Sequence, residues 1–415
     1  MKLCDLTQFY SPDSGGVKRY LHEKMAHIER TGRCDHLMIV PGAVNGMTLQ
    51  GRTRVYTIRS PRCSPTSRYR LMLNMRELRR ILQREKPNLI ELGDPYHVAW
   101  KAVGFARELH IPVVGFYHSN FPEAYVRTFM KYFGARAAHA AERYAERYVC
   151  RLYNQLSRTL VPSPELGALL TSWGVTNTEE VDLGVDTDTF HPDAGVRKTL
   201  CARHGIDPEK RILLYVTRLS KEKNVSTLLK AFALLSRQTS RLTLPAPPRT
   251  VEVGSHPSRP LRKEYLSIPN GYHLILIGDG PLRREVEECT RETGAVTALH
   301  YIAGKRELAE YYAGADLFVH PGVLETFGLA ALESQSCGTP VCGIRGSRLD
   351  RVILAGHEFW AESNTPVSLA HAIERLSRMH LDEMGMQARK KVLEKFGWDT
   401  VFAHLFKIYD QARAL

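Results

Sequence analysis

Short apolar runs rich in β-branched residues alternate with longer segments of helical periodicity along this chain. The runs predict strands at 2–9, 36–40, 55–58, 89–92, 112–117, 159–161, 212–216, 274–277, 317–319 and 340–344. The periodic segments predict helices that include 17–29, 68–85, 142–155, 225–236, 282–293 and 307–313. Alternation of this kind is typical of parallel sheets with helices on both faces. The pattern therefore predicts an α/β protein.

A length of 415 residues exceeds what one ordinary core supports, and two successive series of strands and helices indicate two Rossmann-like domains. We place the first domain at residues 1–185 and the second at 186–395, with the linker within 181–192. Residues 396–415 then form a C-terminal amphipathic helix. Residues 241–270 contain six prolines and little apolar periodicity, so we interpret them as a partly disordered surface insertion.

The composition is that of a soluble globular protein, with 43% apolar and 24% charged residues. No apolar run approaches the ~20 residues of a membrane span, and the N-terminus carries no signal-peptide pattern. The eight cysteines are scattered, without a Cys-x-x-Cys pair or a Cys/His cluster. We therefore expect a cytoplasmic protein with reduced thiols and no zinc site.

Positive charge is concentrated in the first third of the chain. Residues 1–150 hold 24 lysines and arginines against 13 aspartates and glutamates, and residues 52–86 alone hold 11 against 2. Such a surface attracts phospholipid headgroups, a phosphorylated acceptor or nucleic acid, although it is also typical of a merely solvated face. No nucleic-acid-binding motif accompanies it, so we expect no nucleic-acid partner and favour an anionic membrane surface.

A glycine pair, Gly15 and Gly16, follows the first predicted strand and precedes a helix. Glycines there let the backbone approach a ligand and direct N–H groups at a phosphate, although such a pair is often only a turn. The pattern is not Gly-x-Gly-x-x-Gly, so a nicotinamide dinucleotide fingerprint is absent and a dehydrogenase is disfavoured. His118 and Asp94 also follow predicted strands, where α/β sheets place ligands.

The segment 319–343 contains the most informative motif. Glu325 lies at the mouth of a helix that is predicted to begin near Thr326 and Gly328, and Glu333 follows eight residues later. Backbone N–H groups of Phe327, Gly328 and Leu329 would point at an anion bound there. The simpler interpretation is an amphipathic helix with a favourable glutamate at its positive end.

The string Glu-Thr-Phe-Gly-Leu-x-x-x-Glu-x-x-x-x-Gly-Thr-Pro-Val at 325–341 closely resembles the signature of retaining glycosyltransferase family four. The Gly-Val-Asp and Phe-x-Pro strings at 184–192 and the Gly-x-Gly-Pro turn at 278–281 also resemble that family. The resemblance implies the GT-B fold, in which two Rossmann-like domains with parallel sheets face a central cleft. It also implies that the C-terminal helix packs back on the N-terminal domain.

The resemblance assigns the residues that neutralise the departing diphosphate. Arg218 and Lys223 match the family's diphosphate-binding arginine and lysine, whose charge can replace that of a metal ion. Thr217 departs from the glycine that the family usually has before this arginine. The Gly15–Gly16 loop would lie between donor phosphate and acceptor, and His118 would contact the donor sugar.

The remaining donor contacts follow from the same resemblance. Glu325 and the backbone of residues 327–329 would hold the sugar and phosphate, and Glu333 would bind the ribose. Gly280 would allow the tight turn and make some contact with the donor. Arg306 lies in the loop where the family reads the nucleobase. No Asp-x-Asp motif is present, so we predict metal independence and no cofactor, the nucleotide-sugar being a substrate.

The sequence therefore predicts a retaining glycosyltransferase that moves a hexose from a UDP- or GDP-linked sugar to an acceptor hydroxyl. The basic first domain favours a lipid-linked or phosphorylated acceptor and a peripheral position at the inner face of the membrane. Two alternatives stay open. One is a nucleotide-sugar 2-epimerase on the same fold, and the other is a non-enzymatic basic protein that binds membrane surfaces.

Overall fold

The computed structural model describes residues 1–11, 16–64, 67, 69–118, 134–238, 271–323, 325, 327–347 and 349–414. Gly15, Thr326 and the predicted insertion at 241–270 therefore lie outside the described residues. The chain divides into two compact units. The first unit contains Met1–Gly184 together with Phe396–Leu415, and the second contains Val185–Lys395.

Strands and helices alternate through both units. The described strands are β1 (Lys2–Leu6), β2 (Asp35–Gly42), β3 (Gly46–Gln50), β4 (Thr53–Arg59), β5 (Leu89–Leu92), β6 (Val113–Phe116), β7 (Arg158–Val161), β8 (Thr178–Glu180), β9 (Arg211–Val216), β10 (Tyr272–Ile277), β11 (Val296–Leu299), β12 (Leu317–Val319) and β13 (Val341–Cys342). The described α-helices are α1 (Gly16–Thr31), α2 (Met75–Glu85), α3 (His97–Glu108), α4 (Ala135–Tyr153), α5 (Pro164–Ser172), α6 (Val196–His204), α7 (Val225–Gln238), α8 (Arg283–Thr293), α9 (Lys305–Gly314), α10 (Leu329–Ser336), α11 (Pro366–Ser377), α12 (Leu381–Lys395) and α13 (Trp398–Ala414).

The described strands of the first unit form one sheet in the order β3-β4-β2-β1-β5-β6-β7-β8. Its pairings are parallel apart from the edge strand β3, which pairs antiparallel with β4. Strands β1, β5 and β6 are neighbours that run in the same direction. The segments that follow Leu6, Leu92 and Phe116 therefore leave the sheet at one edge, the carboxyl edge where α/β proteins bind ligands.

A buried charge cluster joins α1 and α13 to this sheet. The Nζ atom of Lys24 donates to Asp5 Oδ1 at 2.8 Å and to Glu91 Oε1 at 2.9 Å, and it lies 3.0 Å from the Tyr409 hydroxyl. Asp5 Oδ2 lies 2.7 Å from His36 Nε2. Lys24 is completely buried, and a charge at that depth is tolerated only where opposite charges and hydrogen bonds surround it.

The described strands of the second unit form a parallel sheet in the order β11-β10-β9-β12-β13. The central strand β9 is apolar and its residues Ile212, Leu213, Leu214 and Tyr215 are fully buried, as expected of a strand covered on both faces. Because β9, β10 and β12 are parallel neighbours, the segments after Val216, Ile277 and Val319 leave the sheet at one edge.

The helix predicted at 68–85 is shorter in the structure, where α2 begins at Met75. The Asn74 side chain accepts a hydrogen bond from the Glu77 amide at 3.1 Å and caps the helix there. None of the eight cysteines, all of which are described, forms a disulfide. Among the helices of the described ranges, none combines the length and apolar character that crossing a bilayer would require.

Candidate active site

Two loops of the second unit pack against each other at the carboxyl edge of its sheet. The loop after β9 carries Arg218, and the turn after β10 carries Gly278 and Gly280. The Leu219 amide donates to the Asp279 carbonyl at 2.9 Å. A Cβ on Gly278 would lie 1.8 Å from the Thr217 carbonyl oxygen, and one on Gly280 would lie 2.4 Å from that of Leu219. Glycine is therefore required for this close approach of the two backbones.

The two predicted diphosphate-binding cations lie on this loop after β9. Arg218 has an exposed side chain that forms an ion pair with Glu222. Lys223 ends a short 3₁₀ turn, and the buried Tyr215 hydroxyl donates to the Lys223 carbonyl at 2.8 Å. The Nζ atom of Lys223 donates to Glu325 Oε1, so the fold brings together two predicted site residues that are 102 positions apart.

Glu325 contacts side chains from two other segments of the second unit. Its Oε1 atom receives the Lys223 contact and lies 3.3 Å from His320 Nε2. Burial alone raises the pKa of Glu325, but the hydrogen bond and charge of His320 and the charge of Lys223 outweigh it and lower that pKa to about 2. Glu325 is therefore an anion at neutral pH, suited to accept hydrogen bonds from hydroxyl groups.

His320 was not among the predicted site residues. It directly follows β12, and its side chain is only 4% exposed. Its position directly after the strand predicted at 317–319 was a signal that the sequence already contained. The contact with Glu325, five residues later across a Pro-Gly turn, needed the structure.

The helix after Glu325 begins close to the predicted start near Thr326 and Gly328. Gly328 has a left-handed φ of +91°, and α10 begins at Leu329, where Ala331 and Leu332 donate the first helical hydrogen bonds to the Gly328 carbonyl. Glu325 therefore precedes the helix, and only Glu333 lies on it. A Cβ on Gly328 would lie 2.3 Å from Leu349 Cδ2, so this position also requires glycine.

Glu333 contacts helix α9, and Arg306 belongs to it. Glu333 is 4% exposed, and its Oε2 accepts a hydrogen bond from the Tyr312 hydroxyl of α9 at 3.0 Å. Arg306, at the start of α9, lines an open groove of about 450 Å³ together with Asp188, His191 and Glu310. Arg218, Lys223, Glu325 and Glu333 do not line that groove. The predicted roles in ribose and nucleobase binding stay predictions.

His118 belongs to the first unit and follows β6. Its ring stacks on Phe116 with 4.1 Å between centroids and meets the Tyr20 ring edge-on at 5.2 Å. Burial, assisted by the positive charge of Lys24, lowers the pKa of His118 to about 3. The imidazole is therefore neutral at physiological pH and can exchange hydrogen bonds with a ligand but does not carry charge.

Two other candidates of the first unit have different surroundings. Gly16 is the exposed first residue of α1. Asp94 accepts hydrogen bonds from the Thr7 hydroxyl at 2.7 Å and from the Gln8 and Phe9 amides at 2.6 and 3.0 Å. Asp94 thus holds the backbone after β1, which is a structural task. Within the described ranges, no group of three or more His, Cys, Asp or Glu side chains is placed to hold a metal ion.

Comparison with known protein families agrees with this geometry. The model of Glycosyltransferase Family 4 matches residues 14–189, and models of Glycosyl transferases group 1 match residues 196–246 and 259–379. The chain belongs to glycosyltransferase family 4. It is therefore a nucleotide-sugar-dependent transferase, which confirms the predicted family and the predicted enzyme class.

The similarity to known proteins covers nearly the whole length of the chain. It is 28% identical over 412 residues to a GDP-mannose-dependent alpha-(1-6)-phosphatidylinositol dimannoside mannosyltransferase of Mycobacterium tuberculosis, covering 98% of this chain and 95% of that one. It is 27% identical to a GDP-mannose-dependent alpha-mannosyltransferase of Corynebacterium glutamicum, covering 85% and 74%. Sucrose-phosphate synthase of Thermosynechococcus elongatus shares its fold, with a TM-score of 0.72, 18% identity and full coverage of both chains. The predicted GT-B fold is thereby confirmed.

Proposed function

We propose that this enzyme transfers a mannosyl residue from GDP-mannose to a hydroxyl group of a phosphoinositol-containing glycolipid, with retention of the anomeric configuration. The observation that carries the proposal is the Lys223–Glu325 pair at the entrance to helix α10. It combines a cation suited to a diphosphate with an anion suited to sugar hydroxyls. The donor is the one in the names of the M. tuberculosis and C. glutamicum relatives, and the acceptor class is the one in the name of the M. tuberculosis relative.

The chemistry needs stabilisation of a leaving diphosphate. As the bond between the anomeric carbon and the diphosphate oxygen breaks, negative charge grows on that oxygen. Arg218 and Lys223 are the cations that we assign to this charge, and the backbone N–H groups of Gly328 and Leu329 add the positive end of the α10 dipole. These groups make a metal ion unnecessary in the proposed mechanism, so activity should survive chelation.

Retention follows if the acceptor attacks on the face that the leaving group vacates. The acceptor oxygen then bonds to the anomeric carbon, and its proton passes to the departing phosphate oxygen. Glu325, which is held as an anion, would orient the sugar hydroxyl groups during this exchange. The roles that the family resemblance implies for Gly15, Gly16, Gly280, Phe327 and His118 in donor binding belong to the same proposal.

A lipid acceptor is supported by one surface of the first unit. Helix α2 buries Leu78, Ile81 and Leu82 and exposes four arginines, at positions 76, 79, 80 and 84. The Leu73 side chain, just before the helix, is 60% exposed. A basic helix with exposed apolar side chains beside it suits adsorption to an anionic bilayer.

The edge strand β3 extends the same surface. Leu49 is 69% exposed and pairs with Arg54 of β4, whose guanidinium lies 3.3 Å from Glu85 at the end of α2. Met47, also exposed, pairs with Tyr56, and the Tyr56 hydroxyl donates to Glu85 at 2.5 Å. Directly paired residues point to the same face of a sheet, so Met47 and Leu49 lie on the face that carries α2. We propose a peripheral position at the cytoplasmic membrane face, with this surface against the lipid.

The decisive experiment incubates the enzyme with radiolabelled GDP-mannose or UDP-glucose and phosphatidylinositol-containing vesicles, with and without EDTA. We expect lipid-linked label from GDP-mannose that EDTA does not remove, and an axial anomeric linkage by NMR. Release of free sugar without any acceptor product would contradict the transferase mechanism proposed here. Conversion of UDP-N-acetylglucosamine alone to a free hexosamine would instead support the 2-epimerase.

A further inference from the structure

We propose that His320 is a positioning residue that keeps the Glu325 carboxylate in place when Lys223 moves from it to the donor diphosphate. This inference rests on the proposed function, because it takes Lys223 and Glu325 as donor-binding groups. The resemblance to the family assigned no role to His320. The contacts around His320 in the second unit are what point to one.

The His320 ring is fixed on several sides. The His320 amide donates to the Cys342 carbonyl at 2.8 Å, which anchors the backbone to β13. The ring meets those of Tyr215 and Phe318 at centroid distances of 5.6 and 6.1 Å. A Cβ on Gly322 would lie 2.9 Å from His320 Cε1, so the Gly322 backbone closes another side. A ring held in this way can present Nε2 in one direction only.

That direction is toward Glu325. His320 Nε2 lies 3.3 Å from Glu325 Oε1, the oxygen that also accepts from Lys223. The other ring nitrogen, Nδ1, is buried and has no hydrogen-bond partner among the described residues. The one polar contact of the ring within the described residues is therefore the contact with Glu325.

Lys223 and His320 differ in their freedom to move. Lys223 is 25% exposed and carries its charge on a long flexible stem, whereas His320 is buried in a fixed ring pocket. An incoming diphosphate would compete with Glu325 for the Lys223 ammonium group. Glu325 is 13% exposed, and a carboxylate that loses its cation at this depth, beside a second anion, is strongly disfavoured.

His320 removes this difficulty because its contact does not depend on Lys223. The described side chains that contact Glu325 are Lys223 from the loop after β9 and His320 from the end of β12. The Tyr215 hydroxyl senses the charge of Glu325, but its hydrogen bond goes to the Lys223 carbonyl. Once Lys223 engages the donor, His320 is the remaining donor to the carboxylate in this set. Exchange of Lys223 between Glu325 and the diphosphate then becomes possible without an unpaired buried anion.

The test compares His320→Gln, whose amide nitrogen can replace Nε2, with His320→Leu, which keeps bulk and removes the donor. We expect His320→Gln to retain most of the kcat/KM for the nucleotide-sugar. His320→Leu should lose roughly 10- to 100-fold, since a hydrogen bond to a charged group contributes about 1.5–3 kcal/mol. The acid limb of its pH profile should move upward by about 1–3 pH units, because Glu325 loses a partner that favours its ionised form. Equal losses in both variants with an unmoved acid limb would overturn the proposal.

A double-mutant cycle distinguishes positioning from a general packing defect. If His320 acts through Glu325, adding His320→Leu to Glu325→Gln should change kcat/KM little further. Full additivity would overturn the inference. If His320→Leu does not fold, His320→Asn takes its place, because its shorter side chain cannot reach Oε1. Failure of the wild type to turn over any nucleotide-sugar would contradict the proposed function itself, whereas an active wild type with unaffected His320 variants overturns only this inference.

Discussion

Lys223 and Glu325 form an ion pair across the carboxyl edge of the second sheet, although 102 positions separate them in the chain. The pair joins the loop after the central strand to the entrance of α10. In the proposed mechanism, the ammonium group binds the donor diphosphate and the carboxylate binds sugar hydroxyl groups. The first prediction tests the carboxylate.

Replacement of Glu325 by glutamine should lower kcat by roughly 10²–10³, the effect of removing one preorganised polar group from a transition-state site. The fold should persist, because the amide keeps the size of the side chain. Steady-state kinetics with thermal unfolding would measure both quantities. Glu287→Gln is the matched control, because it removes a surface partner of Arg283 in the same unit. A folded Glu325→Gln enzyme with kcat within twofold of wild type would remove Glu325 from the mechanism.

Gly278→Ala should disturb the loop that carries Arg218. The new Cβ would lie 1.8 Å from the Thr217 carbonyl oxygen at a φ of +142°, so the two loops must separate. We expect the free energy of unfolding to fall by at least about 1–3 kcal/mol and the KM for the donor to rise. Gly205→Ala is the control, since it has a φ of +62° but open space around it. Urea unfolding that ranks the two variants equally would show that the contact with Thr217 is unimportant.

Lys24→Met should destabilise the first unit by about 3–5 kcal/mol, because it leaves Asp5 and Glu91 buried without their cation. Tyr409→Phe should cost about 1–3 kcal/mol through the lost hydrogen bonds to the same cluster. The exposed Lys101→Met, on α3, should change stability by less than about 0.5 kcal/mol. Denaturant unfolding of the three variants measures the differences. A Lys24→Met protein as stable as the Lys101 control would contradict this account.

The same cluster gives a signed pH dependence. The pKa of Asp5 is lowered from 3.8 to about 2 in the folded protein, since Lys24 and His36 outweigh the effect of burial. The stabilisation from Asp5 is therefore complete above about pH 4 and is lost as pH falls toward 2. Burial instead raises the pKa of Glu91, which acts in the opposite direction. The free energy of unfolding, measured from pH 5 to pH 2, should fall less steeply in His36→Gln than in the wild type. Identical slopes for the two proteins would contradict the role of His36 in lowering the pKa of Asp5.

Arg76, Arg79 and Arg80 should bind the enzyme to anionic vesicles. Changing all three to glutamine should weaken sedimentation with phosphatidylinositol vesicles by roughly 100-fold, given about 1 kcal/mol per basic residue near such a surface. The comparison variant changes Arg237, Arg284 and Arg291 of the second unit, which removes the same charge elsewhere. If both triple variants lose binding equally, net charge rather than the α2 surface controls adsorption.

His118 should remain neutral throughout the physiological range, because burial and Lys24 lower its pKa to about 3. Imidazole resonances of His118, assigned through a His118→Gln variant, should therefore not titrate between pH 5 and pH 8. A midpoint near 6.5 would mean that the ring is more hydrated than its packing on Phe116 indicates.

The sequence pattern missed some strands and helix ends because their residues lack the expected periodicity. All five residues of the edge strand β3 are exposed, so Gly46–Gln50 carries no alternation of buried and exposed positions. The helix predicted at 68–85 begins only at Met75, because Asn74 caps it and the exposed leucines before it belong to a loop. The helix predicted to begin near Thr326 and Gly328 begins at Leu329, because Gly328 takes a left-handed conformation.

The sequence by itself determined the features that depend on neighbouring residues. These are the strand and helix alternation, the glycine turns, the loop with Arg218 and Lys223, and the motif around Glu325. Only the tertiary structure decided which of these groups meet. Strand order and helix packing bring Lys223 and His320 to Glu325. They also set the hydrogen bond between Lys24 and Tyr409 and the one between Thr7 and Asp94. Distances between residues far apart in the chain are set by that packing, and no local pattern encodes them.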